Sequence, residues 1–171
     1  DECGMNYEDN TYNYRQDSSL LNFWGLSYDG LAAVIDIDEG REIIFGDELT
    51  IDHIVWMGTQ PTLHEKAQRV GVTETLPLAE LKKYVEKVVA QKRTVHYLPP
   101  YRAEHRLKLM ALLGVKPGAE MPSVPFIKGI VNLRNYKTEE EIAEIERACD
   151  VTAEMHLEAM RVLRVGMKEL C

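Results

Sequence analysis

Four groups of polar side chains in this sequence have the residue types that do chemistry. Asp36 and Asp38 lie two apart in an apolar run, so an extended backbone puts both carboxylates on one face, an arrangement that can bind a cation. Asp47, Glu48, Asp52 and His53 form a denser group of acids with one imidazole. His64-Glu65 starts like the zinc-binding H-E-x-x-H helix, but Gln68 stands where the second histidine belongs. His156 sits on an apolar helical stripe and carries a metal-capable ring. Each group also has a plainer reading, and the plainer readings are preferred. Asp36 and Asp38 read as solvent-facing residues beside a hairpin. Nothing nearby in the sequence orients the group around Asp47. His156 reads as a core histidine with a hydrogen-bond partner. His96 and His105 have no partner at ligand spacing, and the G-x-S-x-G and P-loop patterns are absent. No catalytic residue and no metal ligand is therefore assigned.

The aromatic segments are richer. Tyr12-Asn13-Tyr14-Arg15-Gln16-Asp17-Ser18 packs two rings, donors and acceptors into one short stretch. Ile54-Val55-Trp56-Met57-Gly58 sets a tryptophan beside a flexible glycine. A tryptophan so placed can wall a pocket while its indole N–H reaches a polar partner, or can simply pack in a core.

The elements that would hold these groups follow from periodicity. Residues 1–19 read as a polar loop. The runs 20–26, 31–37 and 42–46 read as strands, with Asp38-Glu39-Gly40 as a hairpin turn. Thr62 and Glu65 form a capping box that opens a helix over 63–70, with Gly71 at its end. A strand over 72–76 follows, then a helix starting near Pro77 with Leu78, Leu81, Val85 and Val88 at helical spacing. Residues 94–98 alternate like a strand, and 101–113 read as a helix closed by Gly114. Strands followed by alternating helices and strands predict an α/β fold with a mixed sheet.

The stretch 114–126 holds three prolines and reads as a connector. Beyond it, Thr138 and Glu141 make a second capping box. Ile142, Ile145, Cys149, Thr152, His156, Ala159 and Leu163 then mark one long amphipathic helix over about 138–163. The boundary between the two parts is placed near 127–137.

Composition limits the function classes. The chain has 171 residues, enough to bury a core without disulfides or metal. Its net charge of −8 argues against nucleic-acid binding, which needs clustered Lys and Arg. No run reaches the ~20 apolar residues that span a bilayer, so no membrane partner is expected. Cys3, Cys149 and Cys171 are odd in number and lack metal spacing, which reads as reduced thiols in a cytoplasmic protein. The polar start without methionine and the unpunctuated end lead us to expect a fragment.

Three motifs in register resemble a known family. Asp9-Asn10-Thr11-Tyr12-Asn13-Tyr14-Arg15-Gln16-Asp17-Ser18, followed by Phe23-Trp24-Gly25, is similar to the signature of the aminopeptidase P amino-terminal domain. Ile54-Val55-Trp56-Met57-Gly58 resembles that family's I-x-W-x-G. Leu133-Arg134-Asn135-Tyr136-Lys137-Thr138 through Ile142 resembles the segment that opens the "pita-bread" catalytic domain.

The resemblance implies a three-layer creatinase-like α/β domain over residues 1–130, with a mixed β-sheet flanked by helices. Residues 131–171 would be the linker and first long helix of a truncated catalytic domain. It implies a longer Xaa-Pro aminopeptidase that releases an N-terminal residue preceding proline. That enzyme would use two divalent metal ions, usually manganese, on ligands that come after this chain. Partners would be its own catalytic domain, further copies in a dimer or tetramer, and proline-containing peptides. This part would assist assembly and cover the active site, and would be inactive alone. By the same resemblance Trp56 lies near the substrate pocket, and Asp9 reaches a neighbouring subunit's site, where it could meet the substrate amine. Arg15 and Asp17 would hold the entry loop by a charged hydrogen bond. The alternatives are a non-catalytic creatinase-like peptide-binding module and a prolidase; the Y-R-Q-[DN]-S run favours the aminopeptidase.

Overall fold

A computed structural model describes residues 4–7, 10–116 and 122–168 of the chain. They divide into two units, one of residues 1–95 with 100–120 and one of 96–99 with 121–171.

In the first unit, helix α1 (Ser18–Trp24) occupies the apolar run expected to be a strand. Two local signals outweigh the apolar composition. The Asp17 carboxylate accepts the backbone N–H groups of Ser19 and Leu20 at 2.9 and 3.1 Å. Gly25 closes the helix at φ 66°, a left-handed conformation that costs glycine little.

The next two strands form as expected. β1 (Ala32–Asp36) and β2 (Arg41–Phe45) pair antiparallel, with Ala32 opposite Phe45 and Asp36 opposite Arg41. β3 (Glu74–Leu76) then lies parallel beside β2, so the sheet is mixed with the order β1-β2-β3.

As the central strand, β2 supplies the deepest core: Ile43, Ile44 and Phe45 are at most 1% exposed. Strand alternation sends neighbouring side chains to opposite faces. Ile44 packs with Leu26, Leu63, Ala67 and Val72, so α1 and helix α3 (Leu63–Gln68) cover one face. Phe45 points to the other face and meets the Tyr84 ring edge-on at 5.9 Å. Tyr84 belongs to helix α4 (Glu80–Ala90), which turns its buried Val85 and Val88 inward. Helix, sheet and helix make the expected three-layer α/β arrangement.

Between β2 and α3 lies the short helix α2 (Ile51–Met57). Helix α5 (Ala103–Leu113) ends at Gly114, as its sequence suggests. Residues 94–98 form no strand. Helix α4 ends at Gln91, and Lys92 follows with φ 59°. The side chain of Arg93 is then drawn back toward β1, and the alternation that follows finds no ladder partner among the described residues.

The second unit contains helix α6 (Val124–Asn135), opened by the Ser123 cap, and helix α7 (Glu139–Val162). Helix α6 runs through most of the stretch read as a boundary. The Thr138–Glu141 capping box starts α7 as expected. All residues of α7 are exposed, its apolar stripe included. His156 is exposed with the rest of the helix, and no side chain among the described residues packs over it as the core reading expects.

Candidate functional site: an anchored entry loop and an exposed tryptophan helix

The segment from Tyr14 to Asp17 is held by side chains that alternate along it. The Tyr14 hydroxyl and the Gln16 amide both donate to the Tyr28 carbonyl, each at 2.7 Å. Asp17 caps α1. Arg15, between these anchors, is exposed and makes no ion pair among the described residues. The expected charged hydrogen bond from Arg15 is therefore not what holds the loop. Two neutral donors on one carbonyl and a helix cap do that work instead. Trp24, at the end of α1, donates its indole N–H to Glu42 at 3.1 Å.

Trp56 lies on α2, all seven residues of which are exposed. Its side chain is 86% exposed, and Ile51, Val55 and Met57 around it are exposed as well. The helix is set by its ends. The Thr50 hydroxyl oxygen accepts the His53 backbone N–H and lies 2.9 Å from the His53 ring nitrogen Nδ1. Gly58 ends the helix with φ 74°. The chain thus holds a large aromatic ring outward on a short, capped helix. Asp9, the other expected substrate contact, lies outside the described residues.

The acidic group around Asp47 is oriented after all, by contacts distant in sequence. Asp47 accepts the Leu78 backbone N–H at 3.0 Å, ahead of α4. Both Glu48 oxygens accept the Leu63 N–H, at 2.9 and 3.1 Å, at the first turn of α3. A carboxylate there also meets the positive end of the helix dipole. The β2–α2 loop therefore ties two later elements to the sheet, and its acids are used in doing so. The spacing of an acidic pair ahead of two helix starts is the signal that sequence reading passed over.

Asp36 is also no solvent-facing residue: it is 4% exposed. Arg93 donates from Nη1 to one Asp36 oxygen at 3.0 Å and from Nη2 to the other, and from Nε to Asp38 at 2.6 Å. The Tyr84 hydroxyl and the Glu39 backbone N–H also donate to Asp36. Arg93, then Tyr84, hold the Asp36 carboxyl far below the usual carboxylate range. Burial, with the bond to Asp36 second, pushes Tyr84 up to about 12. Both carboxylates face a guanidinium, so neither is free for a cation. Among the described residues, no three His, Cys, Asp or Glu side chains come together in a way that could hold a metal ion. The residues here do not fit the dinuclear centre that the resemblance attaches to the family. Among the described residues, no helix is long and apolar enough to cross a membrane.

Comparison with known proteins agrees with this architecture. The chain is 24% identical over 171 residues to the Xaa-Pro dipeptidase of Homo sapiens, a match covering 91% of this chain and 31% of that protein. It is 23% identical to the Xaa-Pro aminopeptidase of Escherichia coli (strain K12), covering 94% of this chain and 39% of that one. Its fold matches proline aminopeptidase P II from Yersinia pestis with a TM-score of 0.72 at 20% identity, over 99% of this chain and 41% of that chain. The chain thus spans well under half the length of these relatives. Residues 1–97 match the model of the aminopeptidase P N-terminal domain. With the mixed sheet, the anchored entry loop and the capped tryptophan helix all lying within or beside that match, the chain belongs to the aminopeptidase P N-terminal domain family.

Proposed function

We propose that this chain is the amino-terminal, non-catalytic part of a longer Xaa-Pro peptidase, a metal-dependent hydrolase. Residues 1–130 would form the covering domain, and 131–171 the linker and first helix of the catalytic domain. The observation that carries this reading is Trp56, a large ring held out into solvent on a helix with no buried residue. Trp56 does not stand alone: Ile51, Ile54, Val55 and Met57 of the same helix are exposed with it, and a contiguous exposed apolar patch marks an interaction site. A flat ring suits the proline ring of a substrate, and Asp9 would meet its free amine.

The apolar residues along α7, Ile142 and Ile145 among them, support a catalytic domain as the intramolecular partner. Two divalent ions, manganese by family resemblance, would be held by that domain's own ligands and would supply the activated water. What this chain's residues would do is narrower. They would fix the entry loop, present Trp56 and restrict the site to short peptides. Assembly into a dimer or tetramer and a cytoplasmic location belong to the same reading.

A prolidase is the second reading, favoured by the match to the human Xaa-Pro dipeptidase. Assay of the longer protein with manganese separates them. An aminopeptidase cleaves Xaa-Pro tripeptides as well as dipeptides, whereas a prolidase acts on the dipeptide alone. Failure to cleave any Xaa-Pro bond would remove both and leave the peptide-binding module.

A further inference from the structure

We draw no further inference here: the strongest candidate, the exposed apolar surface of α2 around Trp56, belongs to the site already described, and nothing in the structure shows what else covers it.

Discussion

Arg93 closes on Asp36 across fifty-seven residues of sequence, joining the end of α4 to the end of β1. Tyr84 completes the clasp from one face of α4 while its ring packs on Phe45. The interaction fastens the second helical layer to the sheet, and its cost in desolvation is met by hydrogen bonds to both carboxylate oxygens.

The clasp makes stability depend on acid. Because the folded state holds Asp36 below the ordinary aspartate value of 3.8, its contribution is present above that pH and lost as pH falls further. Glu65, held down by the Thr62 backbone and hydroxyl, acts in the same direction. Thermal unfolding followed from pH 7 to pH 2 should show the midpoint dropping once pH passes below about 4. In Asp36→Asn the midpoint should start lower and the drop should be shallower. An unchanged acid profile in that variant would count against the clasp.

At the alkaline end the sign reverses. Tyr84 is raised from 10.0 to about 12, so its contribution holds below pH 10 and is lost between those values. Tyr84→Phe keeps the ring contact and removes a hydrogen bond to a charged acceptor, a loss of roughly 1.5–3 kcal/mol at pH 7. Urea denaturation of the variant checks this, and a wild-type midpoint would contradict it.

Asp17 carries the start of α1. Asp17→Ala should cost about 1 kcal/mol, a fall in Tm of about 2–4 °C for a chain of this size. Calorimetry reads the change directly. Arg15→Ala should leave Tm within about 1 °C, because surface changes away from such features are small.

Phe45 and Trp56 should respond in opposite ways. Phe45→Ala empties the centre of the sheet and should cost about 3–5 kcal/mol. Trp56→Ala should leave folding nearly untouched. If Trp56 contacts substrate as proposed, the same change in the proposed longer peptidase should raise KM for an Xaa-Pro peptide roughly threefold to tenfold, the worth of one aromatic contact. Steady-state kinetics beside a melting curve separate the two effects.

Local signals were readable and distant ones were not. The hairpin around Gly40 and both capping boxes follow from neighbouring residues, and each appears where its sequence places it. Helix α1 reads as a strand from composition because Leu20 to Leu26 is so apolar, although Asp17 and Gly25 already punctuate it as a helix. The burial of Asp36 could not be read, since the guanidinium that makes it tolerable arrives from the far side of α4. Likewise nothing near Asp47 and Glu48 in the sequence orients them, because the backbone N–H groups they accept, those of Leu78 and Leu63, follow 31 and 15 residues later. Residues 94–98 alternate as a strand does, but a strand needs a neighbour to pair with. On the site, the sequence singled out Trp56 and the entry-loop motif. The side chains that anchor that loop became clear only with Tyr28 in place.

The most direct test is a paired hydrolysis assay, with manganese and an Xaa-Pro dipeptide and tripeptide offered to this chain and to the longer peptidase proposed to contain it. The longer protein should release the first residue, while the 171-residue chain, folded by circular dichroism, should show no turnover above the uncatalysed rate. Metal-dependent cleavage by the chain alone would contradict the assignment of catalysis to residues beyond it.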